Sequence, residues 1–473
     1  MLFDKLEKYS SRSAVISENS EVLTFFDLIK LAKQIGTKIK KRSLVFILTE
    51  NCVESVAGYI AFVRSNCVVM LVSSQITSGE FDTLYQKYIP DFLWCNKKNS
   101  LKLSKKNFSS ILYIGNFQLL ESKKNFFFNM NENLMLLLST SGSLGDPKCV
   151  KLSYKNITSN SLSIIDYLTI ENIDRAITTL PMNYSYGLSI INTHLFAGAS
   201  IILNKKTLID KSFWKLFYDC EVNNFNGVPY TFEILKKIGI SKIFSKNLKY
   251  ITQAGGKMNT KRILEIEKEC ANNSTKFFIM YGQTEASPRM SYLEISKLLN
   301  KYESIGKPIS GGQFWIENKK GNKINKNNEI GELIYSGDNV FMGYSNSYHD
   351  LNKKDEVHGV LKTGDLVKKD NEGFYFIVGR KKRFIKLYGD RVSLDYLENK
   401  LQSKNYNAAC TGSDDKLVIF CEKKKTKKIN KSKIAEVVNI IASRFKLIEI
   451  ENLPKNQNKK ISYIHLNKLI NNE

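Results

Sequence analysis

Leu134-Met-Leu-Leu-Leu138 is apolar at every position and then gives way to Ser139-Thr-Ser-Gly-Ser-Leu-Gly-Asp-Pro-Lys148, which has almost nothing to bury. An unbroken apolar run of that length suits an interior strand, covered by other layers on both faces. The abrupt change means that the chain leaves the core there as a loop of small and polar residues. Similar short runs recur at Ser43–Thr49, Val68–Val72, Ala176–Leu180, Ser200–Leu203, Asn224–Val228 and Tyr250–Ala254. Between them lie segments with apolar residues at helical spacing, such as Phe25–Ile39 and Val53–Val63. Strands alternating with helices predict a layered, largely parallel α/β core.

The Ser139–Lys148 segment has the composition of a polyphosphate cradle. Gly142 and Gly145 let backbone N–H groups turn toward an anion. Ser139, Thr140, Ser141 and Ser143 add hydroxyl donors, and Lys148 adds a positive charge at the far end. Pro147 excludes the Walker loop, in which Gly-Lys-Ser/Thr opens a helix. Taken alone, the stretch also admits the less favoured reading of a Gly/Ser-rich surface turn.

At 473 residues the chain has room for two or three domains. No stretch reaches the ~18 consecutive apolar residues of a membrane span, and Met1–Ser10 carries acidic residues where a secretory signal would be apolar. A cytoplasmic location is expected. Eight cysteines are scattered without any Cys-x-x-Cys pair, as buried, reduced thiols would be. The net charge of +25 invites a nucleic-acid reading. The basic residues are dispersed, however, and lysine-rich, proline-poor composition accounts for the excess, so no specific nucleic-acid partner is expected. Lys423–Lys428 reads as a solvated loop.

Beyond about residue 300, glycines punctuate short strand-like segments, predicting a β-rich subdomain. Gly379-Arg-Lys-Lys-Arg383 then forms a basic stretch without apolar periodicity, a candidate exposed hinge. Several polar clusters follow apolar segments. Gln253-Ala-Gly-Gly256 allows a flat ligand to approach backbone. Tyr281-Gly-Gln-Thr-Glu285 offers an aromatic face, the Thr284 hydroxyl and one carboxylate able to hold Mg²⁺. Lys362-Thr-Gly-Asp365 is expected at a turn, with Asp365 able to accept from a ribose diol. Leu453-Pro-Lys-Asn-Gln-Asn-Lys-Lys460-Ile puts lysines on a polar loop.

In order and spacing these segments, with Leu180-Pro-Met-Asn-Tyr-Ser-Tyr-Gly187 and Gly331…Tyr344, resemble the adenylate-forming (AMP-binding) enzyme superfamily, most nearly its acyl-CoA synthetases. The resemblance spans nearly the whole chain. It implies a large N-terminal domain over 1–380 that binds ATP and acid, and a small mobile domain over 381–473 that carries the catalytic lysine. By resemblance, Ser139–Lys148 wraps the β,γ-phosphates and Gly255, Gly256 and Tyr281 flank adenine. Asp365 and Arg380 resemble a ribose-binding pair, and Glu285 resembles the Mg²⁺ ligand. Lys460 aligns with the lysine between substrate carboxylate and α-phosphate, joined by Thr284 and Glu285 as catalytic candidates. Lys382 resembles the hinge, about which rotation brings Lys386–Gly389 toward the acceptor.

The implied reaction makes an acyl-AMP and pyrophosphate from a small carboxylic acid, then passes the acyl group to coenzyme A or to the phosphopantetheine arm of an acyl carrier protein. An amine acceptor and a non-catalytic nucleotide-binding scaffold are the alternatives. Leu144, where threonine is usual, removes one hydroxyl from the loop; Tyr184 and Lys459 also depart from the pattern. Asn183-Tyr-Ser-Tyr-Gly187 lacks the carboxylate that would pair with an amino acid's ammonium, so a plain acid is expected. Tyr184, Tyr186, Val228, Pro229 and Ala254 suit an apolar or aryl chain.

Overall fold

The computed structural model of the chain describes residues 3–39, 41–100, 107–124, 126–139, 148–295, 299–381, 383–387, 390–423, 429–456 and 460–471. Two large sheets form its frame. In the eight-stranded sheet, Leu134–Ser139, Val68–Ser73, Leu44–Thr49 and Phe92–Asn96 lie side by side and parallel. Leu44–Thr49 is buried at every position, the result of helices or loops covering both faces. In the nine-stranded sheet, Lys276–Gly282, Tyr250–Gln253, Asn224–Gly227, Arg175–Ile177, Ser200–Ile202 and Ser13–Ile16 run parallel. Arg289–Glu294 then folds back antiparallel on Lys276–Gly282.

One apolar cluster joins the two sheets through the helices Phe25–Gly36, Val53–Arg64, Tyr154–Leu168 and Ser185–Ala197. The last of these is buried from Ser185 to Leu195, so even its polar residues must find partners inside the protein. The outer faces of the sheets carry separate clusters, one built on Trp214, Phe217 and Phe232, the other on Phe81, Tyr85 and Tyr88. The predicted β-rich segment is a four-stranded antiparallel sheet of Gln313–Glu317, Gly331–Ser336, Val360–Lys369 and Tyr375–Arg380. Later residues pack two clusters of their own, around the Leu394–Ser403 and Tyr463–Asn471 helices and the strands Ala408–Ser413, Lys416–Glu422 and Phe445–Ile450. Among the described residues no helix is long and apolar enough to cross a membrane.

Three expectations need correction. The strand expected over 176–180 ends at Ile177; Pro181 lacks an N–H and restricts Leu180, so the ladder cannot run on. Asp365 is not at a turn but inside the strand Val360–Lys369, where Gly364 at φ +73° and an irregular register keep the strand continuous through a Thr-Gly-Asp sequence. The basic stretch at 379–383 is not uniformly exposed. Arg380 ends a strand, and the Arg383 guanidinium is held by Asp395 and Glu398 and stacks 3.9 Å from the centre of the Tyr463 ring. Lys382, residues 388–389 and residues 424–428 of the lysine-rich loop lie outside the described residues.

Candidate active site

The sheets bring several of the candidate residues near one another from separate elements. Ser139 and Cys149 are ladder partners, so the two ends of the intervening loop are adjacent; Thr140, Ser141, Gly142, Ser143, Leu144 and Gly145 lie outside the described residues. Lys148, at the near end of the next strand, has its amine 6.0 Å from the centre of the Tyr344 ring. Tyr344 pairs with Val150 across the sheet edge, and its hydroxyl donates to the Glu285 carboxylate at 2.8 Å. Burial and the Glu285 charge both push the Tyr344 pKa up, which keeps that hydroxyl a donor. The edge of one sheet thereby reaches the turn that ends a strand of the other.

Thr284–Ala286 forms a single 3₁₀ turn after Gly282. A Cβ on Gly282 would fall 1.8 Å from the Pro288 carbonyl oxygen, so only glycine permits so tight a return. The Thr284 hydroxyl lies 3.1 Å from the Ser185 hydroxyl, at the start of the buried helix. The Glu285 carbonyl accepts from the Phe341 N–H at 2.9 Å. Asn339, which no sequence pattern singled out, locks this turn: its amide donates to the Ala286 and Arg289 carbonyls at 2.7 and 2.8 Å, and its oxygen accepts from Tyr335 at 2.8 Å. Its conversion from an ordinary loop asparagine to a clamp depends on contacts that cross some fifty positions of chain, for which a sequence carries no local signal.

Asp365 is buried, and each of its oxygens is engaged. One accepts from Arg380 Nε at 2.8 Å, its ladder partner, and the other from the Tyr281 hydroxyl at 2.5 Å. Burial and the neighbouring carboxylate raise the Tyr281 pKa well above that of an ordinary tyrosine. Opposite these groups, Gly255 follows the strand Tyr250–Gln253 with φ +85°. A Cβ there would lie 2.6 Å from the Tyr184 hydroxyl and 3.2 Å from Val228. The bare backbone at Gly255–Gly256 is the kind of flat surface that a planar ring can approach.

Lys460 enters from the C-terminal segment. A bridge between Lys455 and Ile461 closes the loop, in which the Asn456 N–H donates to the Lys460 carbonyl at 2.8 Å and the Lys460 N–H to the Asn456 side chain at 3.0 Å. Lys455 stacks 4.1 Å from the Tyr230 ring centre, while the Lys460 amine lies 5.6 Å from that of Tyr184. Much of Lys460 faces solvent, yet its amine is crowded within the cleft. Desolvation there, and then the positive charge of Arg380, pull its pKa below the usual lysine value; Glu285 and Asp365 oppose the shift. Four charged candidates from different elements therefore act on one another.

The donor set fits a nucleotide with a hard cation: a carboxylate and hydroxyl at Glu285 and Thr284, cations at Lys148 and Lys460, and a cradle at Gly255 that a side chain would fill. The Tyr184 hydroxyl and Val228 lie against Gly255, and Tyr184 meets Tyr186 edge-on at 6.3 Å, while Tyr186 is buried with its hydroxyl 2.7 Å from that of Thr252.

The pattern of the AMP-binding enzyme family matches residues 2–345. A 2-succinylbenzoate–CoA ligase of Bacillus cytotoxicus is 24% identical over 96% of this chain and 95% of that protein. A ligase of the same name from Bacillus cereus strain AH820 is 26% identical over 91% of this chain and 89% of its own length. Among solved structures, o-succinylbenzoate CoA synthetase (MenE) from Bacillus subtilis in complex with the acyl-adenylate intermediate OSB-AMP superposes with a TM-score of 0.78 at 20% identity, covering 98% of this chain and 97% of that one. ATP-bound MatB from Rhodopseudomonas palustris gives a TM-score of 0.79 at 20% identity, covering 99% and 97%. These superpositions speak for the fold, a large N-terminal portion with a smaller C-terminal one.

Proposed function

The chain belongs to the AMP-binding enzyme family, and on that premise we propose that it is an AMP-forming acid–thiol ligase, with ATP, a carboxylic acid and coenzyme A as substrates. The observation that carries the reading is the convergence of Lys460, Glu285, Asp365 and Arg380 on one cleft from four separate elements. The relatives named as CoA ligases favour coenzyme A over a carrier protein or an amine as acceptor.

In the first step a carboxylate oxygen attacks the α-phosphorus of ATP. The new O–P bond makes acyl-AMP, and pyrophosphate leaves with the electron pair of the broken bond. Two anions must meet, so the barrier is largely electrostatic. Lys460 places its ammonium between them, and Lys148 with the 139–147 loop holds the departing phosphates. Tyr281 and Gly255–Gly256 flank the adenine, while Asp365 and Arg380 hold the ribose. Glu285, steadied by Tyr344, would hold Mg²⁺, which when bound neutralises phosphate charge and polarises the phosphoryl oxygens. No proton moves in this step, and no acid–base dyad is needed.

In the second step a thiolate adds to the acyl carbonyl and AMP departs. Residues 1–380 form the ATP- and acid-binding part and 381–473 the mobile part, which turns at Lys382 to withdraw Lys460 and present the 386–389 loop. ATP–pyrophosphate exchange across a panel of carboxylic acids, followed by thioester formation with coenzyme A, tests the whole scheme. Acid-dependent exchange and AMP release coupled to thioester are expected. Absence of exchange with every acid of the panel would refute it and favour the non-catalytic scaffold, and exchange without consumption of coenzyme A would move the acceptor to an amine or a carrier protein.

A further inference from the structure

Lys455 is an exposed lysine with no part in the two steps above, yet its ammonium lies 4.1 Å from the centre of the Tyr230 ring. That is well inside the ~6 Å reach of a cation–π contact. The contact joins two stretches of chain that the proposed mechanism sets in relative motion, Tyr230 in residues 1–380 and Lys455 in residues 381–473.

On the lysine side the loop is held in shape. The Lys455–Ile461 bridge and the Ser462 N–H, which donates to the Pro454 carbonyl at 2.8 Å, close it, and Asn456 and Lys460 bond each other within it. Leu453, 3% exposed, roots it in a cluster with Ala409, Val418, Phe420 and Leu466, and the Leu453 N–H donates to the Glu422 carboxylate at 2.7 Å. These contacts tie the loop to the C-terminal part, and none of them reaches the residues that Lys460 faces.

On the tyrosine side the ring is also fixed. Tyr230 follows Pro229, which opens the helix Pro229–Ile238, and packs against the main apolar cluster. A Cβ on Gly256 would lie 3.3 Å from Pro229 Cγ, and one on Gly255 would lie 3.2 Å from Val228. The ring is therefore carried by the same turn that stands against Gly255–Gly256. Seating Lys460 needs help from such a point, because burial of its amine and the Arg380 charge both oppose its ammonium form. Its own ring contact, 5.6 Å from the Tyr184 centre, is the looser of the two.

We propose that Lys455 is a positioning residue: its ammonium, clasped on Tyr230, holds the loop where Lys460 faces the reacting groups in acyl-adenylate formation. The inference rests on the acid–thiol ligase reading. Lys455 belongs to the same closed loop as Lys460, so the clasp opens when Lys460 is withdrawn and contributes nothing to the thioester step.

The test measures the two half-reactions separately in the same preparations of full-length enzyme. ATP–pyrophosphate exchange is run with acetate, hexanoate, benzoate, hexanedioate and 2-succinylbenzoate. Thioester formation is then followed from preformed acyl-adenylate of the acid giving the fastest wild-type exchange. A cation over a ring at an exposed site accounts for about two- to fivefold. Lys455→Ala should slow exchange by that factor without slowing thioester formation. Lys455→Arg and Tyr230→Phe, which keep a cation and a ring, should retain most of the wild-type rate. Tyr230→Leu should match Lys455→Ala, and the double variant should be no slower than the slower single one. Melting curves verify folding; Lys455 is exposed, so its variants decide the matter if Tyr230→Leu does not fold. Wild-type exchange in Lys455→Ala, equal slowing of both half-reactions, or multiplying losses in the double variant overturns the inference and leaves the ligase reading intact. Wild type that exchanges with none of the five acids overturns both.

Discussion

Replacing Lys460 by alanine separates a chemical role from a structural one. The fold asks little of this side chain: among the described residues its hydrogen bonds are those of its backbone to Asn456, and its amine sits 5.6 Å from the centre of the Tyr184 ring. Removing it leaves the 455–461 bridge untouched, and the melting curve should stay within ~0.5 kcal/mol of wild type, as for other substitutions that break no buried contact. The transition state asks much more, because charge builds between carboxylate and α-phosphate where water is partly excluded. A positioned donor at such a point is worth ~2.7–4 kcal/mol, or about 10²–10³ in rate. ATP–pyrophosphate exchange should fall by that factor, while ATP binding measured by calorimetry changes little. Supplying preformed acyl-adenylate with coenzyme A should bypass the defect, because in the proposed second step Lys460 is withdrawn from the site. Exchange within about tenfold of wild type in a folded Lys460→Ala variant would refute the role, since the remaining loss is what a single weak contact supplies.

The depressed pKa of Lys460 carries a pH signature. Burial and Arg380 favour its neutral form, so the activity that needs the ammonium is present at low pH and lost as pH rises through a value below 10.5. The alkaline limb of kcat/KM should show this and should disappear in Lys460→Arg, whose charge persists; an unchanged limb there assigns it to another group. Asn339→Ala removes the clamp on two buried carbonyls and a tyrosine hydroxyl, and should cost ~2–4 kcal/mol in urea unfolding; a loss under ~1 kcal/mol would show that the turn at Glu285 holds itself. Gly255→Ala forces a left-handed backbone onto a residue with a Cβ and should cost ~1–2 kcal/mol, with a raised KM for ATP as the Tyr184 hydroxyl is displaced. An unaltered KM would remove Gly255 from the nucleotide site.

Much of the cleft was legible in the chain because its chemistry is local. The change at Ser139 marks where a strand ends, and the paired glycines at 255–256 mark where backbone is left bare. The misreading of Asp365 has the opposite cause. Thr-Gly-Asp has the residues of a turn, and only pairing with Gly331–Ser336 on one side and Tyr375–Arg380 on the other holds it extended. The basic run at 379–383 misled in the same way, since the charge of Arg383 disappears into Asp395, Glu398 and Tyr463. Asn339 gave no warning at all.

Apolar periodicity thus determined the layered α/β class, and the order of small, hydroxyl-bearing and charged segments carried the family resemblance that implied the kind of reaction, because both depend on residue types that follow one another along the chain. Only the tertiary structure decided which charges are neutralised. Burial and pairing are set by neighbours that the sheets bring together from distant positions, and that is why Lys151, Arg262 and Lys301 found carboxylates inside the protein while Arg289 has none among the described residues.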